Sequence, residues 1–106
     1  MLRKELLEKA IEITEGARQQ HYGTPEDNFS RIAEYWQTYL QQTQIGGSKI
    51  ILCPHDVAIM MILMKVARLA ADYLHDDSWL DIAGYASCGS ECAMKDADEK
   101  YENCGV

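Results

Sequence analysis

The chain has 106 residues, the usual length of one domain, and its 47% of apolar residues are enough to form a core. Seventeen acidic against ten basic residues give a net charge of −7, without the basic track that a duplex nucleic-acid binder needs. The longest apolar run, residues 57–64, is much shorter than the ~20 residues of a membrane-spanning helix. We therefore expect a soluble domain with neither duplex nucleic acid nor a membrane among its partners.

The distribution of charges and cysteines indicates the compartment. Residues 1–15 carry a charge every few positions, which does not fit a secretory signal. We therefore expect a cytoplasmic protein in a reducing environment, in which the four cysteines are free thiols. Cys88 and Cys92 are one helical turn apart, a spacing that fits neither a zinc knuckle nor a disulfide within one helix.

Two helices are predicted in the first half of the chain. The first covers residues 1–20, where apolar residues at spacings of three and four share one face: Leu6, Ala10, Ile13 and Ala17. The second begins at Thr24 and Pro25, a capping residue followed by proline in the first helical position, and ends near Gln42. Its apolar stripe consists of Phe29, Ile32, Ala33, Trp36 and Tyr39.

The third predicted helix indicates self-association. Residues 43–52 contain Gly46 and Gly47 and are predicted to form a loop, after which the helix begins at Pro54. The run 57–64 within it is apolar on every side, so every side has to be covered. Four helices of this length hardly achieve that alone. We therefore predict a homo-oligomer, a dimer or tetramer, built around the third helix.

A fourth helix is predicted after residue 75, with Asp77 or Ser78 as its N-cap. From Lys95 onwards the chain is charged, which predicts a frayed tail. The expected architecture is an all-α bundle of four to five helices, with one domain at residues 1–94 and a charged tail at 95–106. The core side of the fourth helix is expected to carry Trp79, Ile82, Ala83 and Ala86.

Two carboxylates near the start of this fourth helix are candidates for chemistry. Asp77 and Asp81 are four residues apart and share a face, which Tyr85 continues. Carboxylates one turn apart can hold Mg²⁺ and, through it, a phosphate chain, so both are candidate metal ligands and catalytic residues. The alternative is that Asp77 caps the helix and Asp81 is a solvated first-turn acid.

Two basic residues of the third helix are candidate ligands for phosphate. Lys65 and Arg68 are three residues apart and therefore lie on neighbouring positions of the helix surface. The alternative is a surface ion pair between Arg68 and Asp72, which contributes only a few tenths of a kcal/mol.

The junction between the first two helices is a candidate site for a base. His21 or Tyr22 could stack on the base, and Asn28 could bind its edge. The alternative is a turn that uses Gly23 for its backbone freedom, with Tyr22 as a partly buried lid and Asn28 as a polar first-turn residue.

Residues 20–92 resemble a family of small phage and prophage proteins of unknown function. The matching stretches are HYGTPEDNF at 21–29, Ile32-Ala33 with Trp36, residues 56–58 and 60–62, KVARL at 65–69 and DSWLDIAGYA at 77–86. The resemblance covers most of the chain in one order. It implies that the protein acts in the cytoplasm of a host cell.

The pattern Asp-x-x-x-Asp, followed by small residues and Tyr85, is similar to the last motif of the all-α MazG-like nucleoside triphosphate pyrophosphohydrolases. This similarity implies a magnesium-dependent helical oligomer that cleaves a nucleotide between its α and β phosphates, with Asp77 and Asp81 on the metal. The other motif of that group, a Glu-Glu-x-x-Glu run on the preceding helix, does not occur in residues 56–74. A chain with half of the metal site could bind a nucleotide without hydrolysing it.

Two functional hypotheses therefore stand side by side. The first is a nucleotide-handling phage protein, in the MazG-like case an Mg²⁺-dependent pyrophosphohydrolase. The second is a non-catalytic phage protein that sequesters a nucleotide defence signal or inhibits a host protein through its acidic surface. A third option is an assembly protein that associates through the run 57–64.

Overall fold

The structure is a computed structural model that describes residues 1–16, 24–43 and 47–98. Within these ranges the chain forms four helices and no strand, which confirms the all-α prediction. None of these helices is both long enough and apolar enough to cross a membrane. The helices are α1 (Arg3–Glu15), α2 (Pro25–Thr43), α3 (Pro54–Ala71) and α4 (Asp76–Asp98).

Local capping explains where α2 and α3 begin. The Thr24 hydroxyl oxygen accepts a hydrogen bond from the backbone N–H of Asp27 at 3.1 Å, as the sequence predicts for a capping residue. At the start of α3, the backbone N–H of Cys53 donates to the Asp56 carboxylate at 2.9 Å. Pro54 occupies the first turn, where its missing N–H costs nothing.

The helices α3 and α4 form the central antiparallel pair, and α1 lies parallel to α4. Residues early in α3 lie beside residues late in α4, since His55 contacts Asp96 and Lys65 contacts Asp81. The amino group of Met1 lies 3.0 Å from Asp76 at the start of α4. Helix α4 thus contacts both α1 and α3.

The core is small and joins α2, α3 and α4. The buried members are Phe29, Ala33, Val57, Ala58 and Cys92, with Ile32, Trp36, Leu52, Met61, Tyr85 and Cys88 packed against them. Two glutamines of α2 fasten the segment before α3: Gln37 accepts from the N–H of Leu52 at 2.7 Å, and Gln41 from that of Ile50 at 2.6 Å. Their side-chain amides replace backbone partners that a strand would have supplied.

Several details of the predicted helices are wrong. The first helix was predicted to cover residues 1–20, but α1 ends at Glu15. Helix α4 begins at Asp76, so neither Asp77 nor Ser78 is its N-cap. The Ser78 hydroxyl is instead 2.6 Å from Nδ1 of His75. Trp79 is 47% exposed, because its indole N–H donates to the backbone carbonyl of Tyr73 at 2.8 Å and holds the ring at the surface. Tyr39 and Ala86, both expected on core faces, are also exposed.

The end of α4 is tied to the start of α3. Asp96 is buried at 4% exposure and accepts from the backbone N–H of His55 at 3.2 Å, with its carboxylate 2.7 Å from Nδ1 of the same residue. The helix continues to Asp98, so residues 95–98 of the predicted tail are helical rather than frayed. A carboxylate at the positive end of α3 is favourably placed.

The cysteines do not share one state. Cys88 and Cys92 are free, as predicted. Cys53 is disulfide-bonded, so the expectation of free thiols is wrong at that position. The spacing of Cys88 and Cys92 indicated their state, whereas nothing in the local sequence around Cys53 indicates a disulfide.

Candidate functional site

A contact between α3 and α4 brings together a predicted cation and a predicted carboxylate. Nζ of Lys65 lies 2.9 Å from Oδ2 of Asp81, and the side chains are only 14% and 24% exposed. Because the pair is shielded from bulk water, it is stronger than a fully exposed ion pair. The two helices thus place one positive and one negative group side by side on their shared surface.

The second member of each predicted pair lies one turn away. Asp77 is exposed in the first turn of α4, one turn before Asp81. Arg68 is exposed in the last turn of α3, three residues after Lys65, and makes no ion pair with any residue in the described ranges. The antiparallel arrangement puts both at the same end of the α3–α4 pair. We call Lys65, Arg68, Asp77 and Asp81 the α3–α4 charge cluster.

The remaining predicted site residues are only partly placed. Tyr85 lies one turn beyond Asp81 and is half-buried, with its ring centroid 6.3 Å from that of Phe29. This contact brings the first turns of α2, which include the half-buried Asn28, against α4 near Tyr85. His21 and Tyr22 lie outside the described residues. In residues 1–16, 24–43 and 47–98, no group of three or more His, Cys, Asp or Glu residues could hold a metal ion.

A polar cleft that the sequence did not predict lies between α1, α2 and α4. Its volume is about 280 Å³. An ion pair between Lys95 and Glu26, at 2.9 Å, joins α4 to the first turn of α2 beside it. No motif predicts this pairing, because the two residues are far apart in the sequence. The cleft is lined by Thr14, Glu15, Thr24, Pro25, Glu26, Ser87, Cys88, Glu91 and Lys95.

The Glu26–Lys95 pair keeps its charges. Burial by itself raises the pKa of Glu26, but the hydrogen bond and charge of Lys95 outweigh it and lower that pKa below its usual value. The same hydrogen bond raises the pKa of Lys95. Glu91, 3.9 Å from the Lys95 ammonium, adds a second negative charge. The pair therefore remains ionised at neutral pH and fastens α2 to α4.

Burial makes the two free thiols of α4 poor nucleophiles. It raises the pKa of Cys92 to about 12, with further contributions from the nearby charges of Glu26 and Asp96. Burial also raises the pKa of Cys88, to which the charge of Glu91 contributes. Since the thiolate is the reactive form, neither thiol is suited to act as a nucleophile.

The difference between these thiols predicts their alkylation rates. With iodoacetamide at pH 8, we expect Cys92 to react at least about tenfold more slowly than Cys88, because it is less accessible and its pKa is about 12. Peptide mapping by mass spectrometry measures both rates in one sample. The urea-unfolded protein serves as the control, in which both thiols should react alike. Equal rates in the folded protein would contradict the burial of Cys92.

Comparison with known proteins identifies the family. The family model described as "Domain of unknown function (DUF6378)" matches residues 5–93, which cover all four helices nearly from end to end. The chain belongs to the DUF6378 family. The prediction that the chain belongs to a family of unknown function is thereby confirmed. No solved structure matches the chain.

Relatives of this DUF6378 chain are found in mycobacteriophages. The Gene 55 protein of Mycobacterium phage L5 is 38% identical over 96 residues, which cover 91% of this chain and 56% of the relative. The Gene 55 protein of Mycobacterium phage D29 is 40% identical over 83 residues, covering 78% of this chain and 50% of the relative. The chain thus spans about half the length of these relatives. Neither description names a reaction.

Proposed function

We propose that this DUF6378 protein binds the phosphate chain of a nucleotide, together with Mg²⁺, at the α3–α4 charge cluster. The observation that carries the proposal is the 2.9 Å contact between Lys65 and Asp81. Each residue was a candidate on separate grounds, one for phosphate and one for metal. Their contact means that both kinds of ligand are available on one surface.

The residues of the cluster divide the binding between them. Lys65 and Arg68 would bind phosphate oxygens, with Arg68 suited to a bidentate contact. Asp77 and Asp81 would hold Mg²⁺, which typically takes one or two protein carboxylates and completes its shell with water and substrate phosphates. Two carboxylates one turn apart therefore fit an ion that arrives with the nucleotide. Without ligand, Lys65 balances the charge of Asp81.

The base would lie further along α4, on the side of Tyr85 and Asn28. The half-buried Tyr85 is one turn from Asp81 and offers an aromatic ring edge. The half-buried Asn28 in the first turns of α2 offers an amide that can both donate and accept hydrogen bonds. The His21-Tyr22 segment, outside the described residues, remains a predicted base contact.

The MazG-like reaction is the chemistry that this arrangement would serve. Water would attack the α-phosphorus, the bond from that phosphorus to the bridging oxygen would break, and the products would be the monophosphate and pyrophosphate. Asp77 is exposed and can accept the proton of the attacking water. Lys65 and Arg68 would stabilise the negative charge of the departing pyrophosphate. Bound Mg²⁺ would supply charge neutralisation on the phosphates.

The alternative function is binding without hydrolysis, by a phage protein that sequesters a nucleotide defence signal. The same Lys65–Asp81 contact favours it, because the ammonium already occupies one carboxylate oxygen that a catalytic metal would use. The net charge of −7 would also suit inhibition of a basic host protein. In either case the protein acts in the cytoplasm of the host cell.

A nucleotide panel tests the proposal and separates its two forms. The protein is incubated with ribo- and deoxyribonucleoside triphosphates of every base and with cyclic nucleotides, with MgCl₂ or with EDTA. Ion-exchange chromatography then separates intact nucleotide, monophosphate and pyrophosphate. If pyrophosphate is released only with MgCl₂, the protein is the proposed hydrolase. If the protein retains a nucleotide that stays intact, it binds without hydrolysis. If no nucleotide is either retained or cleaved, the proposal is wrong.

A further inference from the structure

The side of α3 that points away from the core is apolar. Its exposed side chains include Ile59 at 52%, Met60 at 37% and Leu63 at 61% exposure. Lys65 is directed toward Asp81 on another side of the helix, so its charge does not interrupt this surface. Monomeric proteins rarely expose contiguous apolar patches of more than a few hundred Å². We call the surface formed by Ile59, Met60, Leu63, Ala67 and Ala70 the outer face of α3.

Side-chain size changes along the outer face of α3. Its first half carries the large Ile59, Met60 and Leu63, and its second half the small Ala67 and Ala70, all of them exposed. Spacings of three and four place these residues in one stripe. When two such stripes pair antiparallel about Leu63, Ile59 of each copy lies against Ala67 of the other, and the two Leu63 side chains meet each other. A parallel pairing sets large against large and leaves a gap between the alanines.

We infer that the outer face of α3 binds a second copy of this chain, with the two α3 helices antiparallel about a twofold axis near Leu63. The stripe is complementary to itself in that orientation, as a twofold contact requires. The charged residue at the start of the stripe, Asp56, already accepts from the backbone N–H of Cys53 at 2.9 Å and lies 3.4 Å from Nε2 of His55. In the antiparallel orientation, the positive end of each helix dipole also lies beside the negative end of the other, which is favourable.

The size of the surface fits a second copy. With the flanking Met64, Val66 and Tyr73, two copies would bury on the order of 1,000 Å² in total, the minimum expected of a specific interface. The charge cluster lies on another side of α3 and stays accessible in the dimer. The dimer therefore does not depend on nucleotide binding, and each can fail without the other.

Sedimentation velocity with matched variants tests the dimer. At micromolar concentration, the parent is expected at twice the chain mass of 12.0 kDa. Leu63→Glu should sediment as a single chain, because the dimer would bury an unpaired charge. Leu7→Glu, the same change at a residue of α1 that is 59% exposed, should remain dimeric. Circular dichroism checks that both variants stay helical. Met61→Glu is unsuitable, since Met61 packs against the core.

Disulfide trapping tests the orientation even if Leu63→Glu fails to fold. Under mild oxidation, Leu63→Cys should give a covalent dimer above the parent's background, since the two copies of this residue lie near the axis. Ala70→Cys should not, because its two copies lie about 21 Å apart along the helices, beyond the ~7 Å that a disulfide spans. The inference is overturned if the parent is a single chain, if Leu63→Glu stays dimeric, or if the two cysteine variants cross-link equally.

Discussion

Asp81→Asn is expected to weaken Mg²⁺-dependent nucleotide binding at least about 100-fold, equivalent to about 2.8 kcal/mol. Asn keeps the size of Asp and one carbonyl oxygen, but it removes the negative charge that a hard cation requires. The fold should tolerate the change. In the parent, Nζ of Lys65 lies 2.9 Å from Oδ2 of Asp81, and the carbonyl oxygen of Asn can still accept a hydrogen bond from this ammonium. Isothermal titration calorimetry with the nucleotide identified by the panel gives the affinity.

The matched control is Asp98→Asn, the same change at an exposed carboxylate near the other end of α4. It should bind as tightly as the parent, since Asp98 is several turns from the charge cluster. Circular dichroism should show unchanged helicity for both variants. If Asp81→Asn and Asp98→Asn bind alike, Asp81 is not a metal ligand and the Lys65–Asp81 contact is structural only.

Gly89→Ala is expected to destabilise the fold by about 1–3 kcal/mol, although alanine favours helices more than glycine by about 1 kcal/mol. A Cβ added at Gly89 would lie 2.6 Å from Cβ of Ala58, and both atoms are attached directly to helix backbones. Helices α3 and α4 would therefore have to separate. Urea unfolding followed by circular dichroism measures the free energy of unfolding.

Gly84→Ala is the matched control on the same helix. Its new Cβ would lie 3.4 Å from Cδ1 of Ile13, the flexible end of a side chain that can move. We expect this variant to be as stable as the parent, or up to about 1 kcal/mol more stable through helix propensity. Equal effects of the two substitutions would show that α3 and α4 do not approach each other closely at Gly89.

The helices could be predicted because their signals are local. Thr24 and Pro25 predict the start of α2, and Pro54 predicts the start of α3, because hydrogen bonds and backbone angles within a few residues determine where these helices begin. The prediction of a core position for Trp79 is wrong, because a hydrogen bond from its indole N–H to the carbonyl of Tyr73 holds the ring at the surface. A helical stripe shows which residues share a face, but not whether a large ring lies in or beside the core.

For the charged residues too, the sequence predicts which of them share a helix face but not which of them meet across two helices. The spacing of Asp77 and Asp81 predicts that they share a face of α4. In the same way, the spacing of Lys65 and Arg68 predicts that they share a face of α3. Which residue of one helix meets which residue of the other depends on the register of the packing, which Gly89 and Ala58 help to set. The Lys65–Asp81 and Glu26–Lys95 contacts could therefore not be predicted from the sequence.

The apolar run 57–64 illustrates a third case. Its periodicity predicts that every side of the run is covered, and the structure shows that this chain covers only part of it. Val57 and Ala58 lie in the core, whereas Ile59 and Leu63 remain exposed. The sequence alone could not show which residues of the run remain exposed, because that depends on how α4 and α2 pack against α3.

Calorimetric titration of Lys65→Met beside the parent tests the site most directly, first with MgCl₂ alone and then with Mg²⁺ and nucleotide. Methionine keeps an apolar stem and removes the ammonium that lies 2.9 Å from Asp81. The freed carboxylate should bind Mg²⁺ more tightly than in the parent, while nucleotide binding should weaken about tenfold or more through loss of a charge-assisted contact. These opposite changes are the predicted result. If Lys65→Met binds both Mg²⁺ and nucleotide as the parent does, Lys65 and Asp81 do not form the proposed site.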